Sequence, residues 1–373
     1  MITQHLSVDS KSPIPLVVQL SSQVAWLIAR GEVSEGERLP PIRDLAEVLG
    51  INFNTVRAAY KQLEADGLVL TQRGRGTSVL SYQRERHLAN KAGTRSFTIG
   101  VIIPTHLEFY APFLNALDSA STDPSLLFIC VAHQDPARGL SYLDQLVAKN
   151  VDGIIVAGDM VPPEIEAGIN GQPPIVFADF PGAPGPSVLF DHEKGSALAT
   201  AHVLEHGHRR IGFIAPPREL PSAAPKYAGY ERALAQAGVA LRAELIETTP
   251  DFAVESGHRG ALRLLDRDDP PTAIVAASDS LAIGTIRAAR ELGVSIPEEL
   301  ALVGNDNIAS AGDTAPPLTT IMAPAAELGS RSIGVLEQLI AGQPLEHAAI
   351  TLGTRLVVRQ SCGCQPAHEL VTP

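Results

Sequence analysis

The stretch Leu39–Thr77, LPPIRDLAEVLGINFNTVRAAYKQLEADGLVLTQRGRGT, leaves few options for folding. It holds two short helical patterns joined by a turn at Gly50-Ile51, then a glycine-rich basic hairpin with Arg73-Gly74-Arg75-Gly76 at its tip. Asn52, Asn54, Thr55 and Arg57 put amides, a hydroxyl and a guanidinium at the start of the second pattern. Such groups read base edges and phosphates and contribute little to a core. The stretch therefore predicts a DNA-gripping element.

Its surroundings complete a small domain. Leu16, Leu20, Val24, Leu27 and Ile28 recur at helical spacing and predict a first helix, closed by Gly31. A second helix is expected from Leu39-Pro40-Pro41, with proline in its first turn, Leu45, Ala46 and Leu49 on its apolar face, and Gly50 at its end. Asn52 suits the N-cap of a third helix whose inward face is Val56, Ala59, Tyr60 and Leu63; Gly67 ends it. Two short strands, 68–70 and 77–80, flank the basic tip. Three helices and a two-stranded wing make a winged helix-turn-helix.

The charge of the chain is divided. Net charge is −12 over 373 residues, yet residues 1–95 hold 12 Lys/Arg and 9 Asp/Glu, net +3, leaving −15 on the rest. An acidic body repels DNA everywhere except at the small N-terminal unit. An apolar content of 45% excludes a disordered chain. No apolar run reaches membrane-spanning length, and MITQHLSVDSKSPIP lacks the basic and apolar regions of a secretory signal. Three cysteines make no disulfide framework, so a reducing cytoplasm is expected.

Ser81–Ser96 is polar, mostly basic and without periodicity, and reads as a linker. From Phe97 the texture changes to apolar runs alternating with helical patterns, which predicts an α/β fold with largely parallel sheets. Strands are expected at 97–103, 126–131, 153–157, 175–178, 188–190, 211–215, 273–277 and 301–304. Helices are expected at 112–121, 138–149, 193–206, 226–237, 254–266, 280–292 and 324–341. Ligands of such sheets sit beyond the carboxyl ends of the strands. Asp179, Asp191, Ser278, Asp279, Asn305 and Asp306 all fall there, with Phe109, Tyr110 and Phe190 close by. Carboxylates and amides beside aromatic rings suit a carbohydrate or a nucleoside, since paired donors and acceptors take hydroxyls and rings cover apolar faces. The bland alternatives are helix caps for Ser278 and Asp279, a strand end for Asp191 and core for Phe190.

Two resemblances sharpen these expectations. Residues 12–80 resemble the DNA-binding domain of the GntR family from end to end, most of all its YtrA-type branch. The likeness implies DNA contacts at Arg43 on the second helix, at Asn52, Asn54, Thr55 and Arg57 on the third, and at Arg73, Gly74 and Arg75 on the wing. Phe53 departs from the arginine common in that family; a thymine methyl contact and simple packing both stay open. Residues 97–361 resemble the LacI/GalR effector domain through IGVIIP, LDQLVAKNVDGIIV, VLFDHEKGSALATAHVLEHGHRRIGFIAPP, KYAGYERALAQAG and PTAIVAASDSLAIGTIRAARELGVSIPEELALVGNDN. That domain resembles a periplasmic sugar-binding protein with two lobes.

The resemblance implies a pocket formed by Phe109, Tyr110, Asp179, Phe190, Lys226, Ser278, Asp279 and Asp306. Lys226 replaces the family's frequent arginine, exchanging a planar fork for a point charge; Asn305 and Asn307 also vary from the common wording. The organisation implied is a reader at 1–80, a linker at 81–96, a two-lobed effector domain at 97–365 and a tail at 366–373. A GntR-type reader on a LacI-type sensor is the AraR-type arrangement. It implies a cytoplasmic homodimer on pseudo-palindromic operator DNA, a repressor whose grip is set by a sugar or, alternatively, a nucleoside or nucleobase.

No cofactor and no enzyme activity are expected. Nothing matches a nucleophile elbow, a phosphate-binding Gly-Lys-Ser loop or a catalytic dyad. A transported-solute binder needs an export signal and has no use for a winged helix. A pyridoxal-phosphate fusion needs a Schiff-base lysine and a fold pattern that residues 96–373 do not carry. His202 and His206, at i and i+4, approach metal-ligand geometry, but Cys362-Gly363-Cys364 is too isolated for the four ligands of a zinc site, so no metal is expected. The family wording assigns His208 to structure, and the cysteine tail likewise, with redox sensing as the alternative for the tail.

Overall fold

The computed structural model describes residues 6, 8, 16–29, 32–72, 74–80, 98–105, 108–121, 126–149, 151–158 and 173–364. Gly31, Arg73, Phe97, the linker at 81–96 and the tail at 366–373 lie outside them.

The N-terminal unit is α1 (Leu16–Ala29), α2 (Ile42–Leu49), α3 (Phe53–Ala65), β1 (Val69–Gln72) and β2 (Gly76–Val79). Leu20, Val24 and Leu27 of α1 meet Leu45 of α2 and Val56, Ala59, Tyr60 and Leu63 of α3 in one core. Gly50 takes φ 64°, a left-handed turn that a side chain resists, and its N–H returns to α2. Asn52 caps α3, its side chain accepting from the Asn54 N–H at 2.8 Å. The prolines sit differently from expectation. Pro41 is extended (ψ 140°) and precedes α2, because Pro40-Pro41 runs alongside the wing instead of entering the helix. The Leu39 N–H donates to the Thr77 carbonyl at 2.9 Å, and the Tyr60 hydroxyl holds the Pro40 carbonyl at 2.8 Å.

The larger unit has two six-stranded sheets. The N-lobe sheet has the order β13-β7-β6-β5-β3-β4, from β3 (Thr98–Ile103), β4 (Leu126–Val131), β5 (Gly153–Ala157), β6 (Ile175–Ala178), β7 (Ser187–Phe190) and β13 (Ala349–Leu352), with every pair parallel. The C-lobe sheet has the order β14-β12-β11-β10-β8-β9. Its strands are β8 (Ile211–Ala215), β9 (Ile246–Thr248), β10 (Ala273–Ala276), β11 (Ala301–Asp306), β12 (Thr319–Met322) and β14 (Arg355–Val357), the last antiparallel to β12.

Helices cover both faces, as buried parallel sheets require. Along β3, Ile99, Val101 and Ile103 face α4 (Tyr110–Ala120) and α10 (Ala325–Ile340), while Ile102 faces α5 (Pro136–Ala148), the two-residue alternation of a strand. The C-lobe core gathers α6 (His192–Glu205), α7 (Ala224–Gln236), α8 (Val254–Leu265) and α9 (Asp279–Leu292) around Phe213, Ile274 and Leu302. α6 and α7 approach so closely at Gly229 that a Cβ there would lie 2.1 Å from the Glu193 carbonyl oxygen.

The chain passes between the lobes three times: from β7 into α6, from β12 into α10, and from β13 into β14. Two crossings are tied together, since the Asp191 N–H donates to the Leu352 carbonyl at 3.0 Å and the Thr354 hydroxyl to the Asp191 carbonyl at 3.1 Å. Asp191 is thus a crossing residue, and its carboxylate caps α6 through the Lys194 N–H. The sequence missed β9, β12, β13 and β14. Each has three or four residues, and IET, TTIM, AITL and RLV lack a bounded apolar run.

Candidate functional site

A cavity of about 230 Å³ opens between the lobes at the carboxyl ends of the strands. It is smaller than the ~300–1,000 Å³ of drug-sized pockets and suits a compact ligand. The N-lobe contributes Phe109, Tyr110, Gln134 and Asp179 to its lining; the C-lobe contributes Lys226, Phe252, Ser278 and Asp306. His192, the first residue of α6, lies where one crossing enters the C-lobe. Three polar lining residues have left-handed backbones: Gln134 (φ 58°), Asp179 (φ 53°) and Asp306 (φ 117°). Such conformations are costly for side-chain-bearing residues and persist where the surrounding fold imposes them.

The cleft is a buried charge network. His192 Nε2 and Asp179 Oδ1 are 2.7 Å apart, and both residues are buried. Burial opposes the Asp179 charge, but the His192 charge and hydrogen bond, the Lys226 charge and the Phe190 N–H together hold its carboxyl below the usual range. From the opposite lobe, Lys226 Nζ donates to the Ala277 carbonyl at 2.8 Å, stands 4.0 Å from Asp306 Oδ1 and lies 5.3 Å from the centroid of Phe252. An ammonium has three donors, so Lys226 retains capacity for a ligand oxygen.

Behind Asp306 lies Asp279, fully buried, with its Oδ1 accepting from the Thr320 hydroxyl at 2.5 Å and its Oδ2 from the Ile308 N–H at 2.9 Å. Gly304 makes room for it, since a Cβ there would stand 2.2 Å from Asp279 Oδ1. Burial, reinforced by the negative charge of Asp306, pushes the Asp279 carboxyl up; burial likewise raises Asp306. Lowering one proton onto this pair removes like-charge repulsion in a medium that screens poorly.

Of the eight residues expected to form a pocket, Phe109, Tyr110, Asp179, Lys226, Ser278 and Asp306 line the cleft. Phe190 and Asp279 do not. The Phe190 ring packs behind the surface, 6.0 Å from Phe109 and 5.7 Å from His192. Asp279 spends its carboxyl on Thr320 and the loop after β11 and so positions Asp306. Ser278 both lines the cleft and caps α9 through the Leu281 N–H at 3.2 Å. Asn305 is buried, and Asn307 accepts from Arg359 at 2.7 Å. Sequence reasoning missed His192, Gln134 and Phe252. His192 carried one signal, its position beside a strand-end aspartate; Gln134 and Phe252 sit in loops without a pattern.

On the N-terminal unit, Arg43, Asn52, Asn54 and Arg57 are exposed and Thr55 is half-buried at the start of α3. Asn52 Oδ1 is engaged in the cap, leaving its NH₂ group outward. Arg75 and Gly74 are exposed at the wing tip, with Gly74 at φ 81°. Phe53 is 44% exposed and does not pack into the core; the Arg57 guanidinium lies 5.2 Å from its ring centroid.

Two lobes closing on a polar and aromatic cleft, carried on a winged helix-turn-helix, define a ligand-responsive DNA-binding regulator. Residues 17–79 match the model of the gntR family of bacterial regulatory proteins, and residues 200–362 that of a periplasmic binding protein-like domain. The chain is 30% identical to the HTH-type transcriptional repressor CytR of Escherichia coli K12 over 285 residues, 74% of this chain and 82% of that one. It is 30% identical to the repressor PurR of Glaesserella parasuis over 332 residues, 86% and 97% of the two chains. Among solved structures, CcpA of Lactococcus lactis aligns with TM-score 0.67 and 25% identity, covering 72% of this chain and 99% of that one. A LacI family regulator from Enterococcus faecium with bound ribose aligns with TM-score 0.65 and 28% identity, covering 71% and 98%. The chain belongs to the LacI-type family of HTH transcriptional repressors, with a GntR-type helix-turn-helix at its N-terminus. Among the described residues no helix is long and apolar enough to cross a membrane.

Proposed function

We propose that this repressor answers to a compact sugar or sugar derivative and follows the AraR-type arrangement, with a reader at 1–80, a linker at 81–96 and a sensor at 97–365. The observation that carries the effector class is the meeting of Asp179 and His192 with Lys226 and Asp306 across one small cleft. Carboxylates from both lobes accept from neighbouring hydroxyls, the ammonium donates, and Phe109 and Phe252 cover the C–H faces of a ring. The Enterococcus relative with bound ribose supports the same class. A nucleoside is the second reading, favoured by the placement of those two rings on opposite lobes, where a planar base stacks.

In this mechanism, two sensors form a two-fold dimer that sets two α3 helices on the half-sites of a pseudo-palindromic operator. Arg43, Asn52, Asn54, Thr55, Arg57, Arg73, Gly74 and Arg75 contact the DNA. Ligand binding favours one arrangement of the lobes and hence of the readers. A coupling of about 1–3 kcal/mol changes operator affinity some 5–150-fold.

A thermal-shift screen of sugars, polyols and nucleosides, followed by operator binding with each hit, tests this. A sugar should raise the melting temperature and change operator affinity within that range. Stabilisation by nucleosides and by no sugar would replace the first reading with the second.

A further inference from the structure

His202 and His206 sit on successive turns at the end of α6, with ring centroids 4.5 Å apart. The fold returns the far end of the chain to them. Residues 359–364 run beside β12: the Arg359 N–H donates to the Thr319 hydroxyl at 2.8 Å, and the Thr319 N–H to the Ser361 hydroxyl at 2.8 Å. The result is a Cys364 Sγ lying 3.1 Å from His206 Nε2 and 3.7 Å from His202 Nε2. All three donor atoms fall within 4.8 Å of one another. A tetrahedral ion with bonds of about 2.0–2.1 Å to nitrogen and 2.3 Å to sulfur sets nitrogen and sulfur roughly 3.5 Å apart. The observed separations bracket that edge.

We propose that His202, His206 and Cys364 bind a borderline-soft divalent cation of the Zn²⁺ class, with Cys362 as the fourth ligand. Gly363, at φ 88°, turns the chain between the cysteines and leaves the Cys362 thiol against His202 and Cys364, just outside the group of three donor atoms, from where it can complete the set. That thiol accepts from the Thr319 hydroxyl at 3.1 Å. The neighbouring His208 is turned away onto Thr272 at 2.9 Å, and the Arg209 guanidinium onto the Leu204 and His208 carbonyls, so neither competes. His206 is exposed and His202 and Cys364 are half-buried, which gives an ion a way in. Two imidazoles and two thiolates match the preference of Zn²⁺ over harder cations. Each thiol releases one proton as its sulfur–metal bond forms, so metal uptake acidifies the medium. The bound ion would fasten the end of the chain to α6, the helix whose first residue faces the effector cleft.

Full-length protein, reduced and freed of metal by chelation, should be titrated with Co²⁺ and then with Zn²⁺. One Co²⁺ per chain should give visible bands of tetrahedral intensity and a thiolate-to-cobalt charge-transfer band, both abolished by Zn²⁺. Cys364→Ser and His206→Gln should weaken Co²⁺ binding at least 100-fold while their circular dichroism matches that of the parent. Cys362→Ser should retain binding with a weaker charge-transfer band, and Cys130→Ser should change nothing. The proposal fails if no charge-transfer band forms. It fails equally if His206→Gln binds Co²⁺ as the parent does, or if Cys362 and Cys364 only pair in air as a disulfide indifferent to metal.

Discussion

Asp306 joins the charged groups of the cleft to the buried carboxyl of Asp279 behind them. It ends β11 with a left-handed backbone, faces Lys226 at 4.0 Å and is backed by Asp279. Asp306→Asn keeps the shape and removes the charged acceptor. A charge-assisted hydrogen bond is worth about 1.5–3 kcal/mol, so effector affinity should fall roughly 10–150-fold by calorimetry while operator binding without effector is unchanged. Asp279 has a separate signature. Its raised carboxyl means that the folded protein holds this proton more tightly than the unfolded chain does. Stability contributed by the pair is therefore full below the ordinary carboxylate range near ~4 and declines as pH rises through neutrality. Asp279→Asn should flatten that decline in a series of melting temperatures against pH; a slope equal to the parent's would place the proton elsewhere. Much of this was legible in the sequence, because a strand end in a parallel sheet places Asp179, Ser278 and Asp306 at the mouth. The direction each side chain takes was not legible. Asp191 and Asp279 also follow strands, yet one caps a helix at a crossing and the other turns inward to a loop.

At the scale of elements, α3 combines capping and exposure in one turn. Asn52 satisfies the helix start, and Phe53 and Arg57, one turn apart, stack on the solvent side. Arg57→Ala should cost about 1–3 kcal/mol of operator binding, roughly 5–150-fold in a gel-shift titration, with effector binding intact. Phe53→Ala should cost less, about 0.5–1 kcal/mol or roughly 2–5-fold, if the ring only pre-orients the guanidinium. A larger loss would give Phe53 a contact of its own on a base. The helices of both units were readable from apolar spacing because each buries one stripe on a core. Among the strands, the edge strand β4 was readable from its apolar run, whereas β9, β13 and β14 at the other edges and the inner β12 were not, because their three or four residues mix polar with apolar side chains.

For the whole molecule, charge and closure set the behaviour. The net −15 of residues 96–373 disfavours DNA everywhere but at the N-terminal unit, so attraction rests on a few cationic side chains. Operator affinity should fall steeply with salt, and Arg75→Ala should reduce the slope of log affinity against log salt by about 1 per reader. A flat profile would count against phosphate contacts. The lobes also touch directly at the cleft's edge, where the Glu108 carboxylate accepts from the Ser310 N–H at 2.9 Å and the Ser310 hydroxyl at 2.7 Å. Glu108 is exposed and Ser310 half-buried, so the contact is worth little more than ~1 kcal/mol. Glu108→Ala should weaken effector binding up to about 5-fold, with a faster off-rate by stopped flow. Equal off-rates would mean that this contact does not hold the lobes together.

The three crossings have a consequence for synthesis. α10 and β13 complete the N-lobe, yet they are made after nearly all of the C-lobe. The helix-turn-helix, by contrast, has all its strands by Val79. At about 5–20 residues per second, on the order of 15–55 s separate a finished reader from a finished sensor. During that interval each nascent chain carries its helix-turn-helix without a finished sensor to control it.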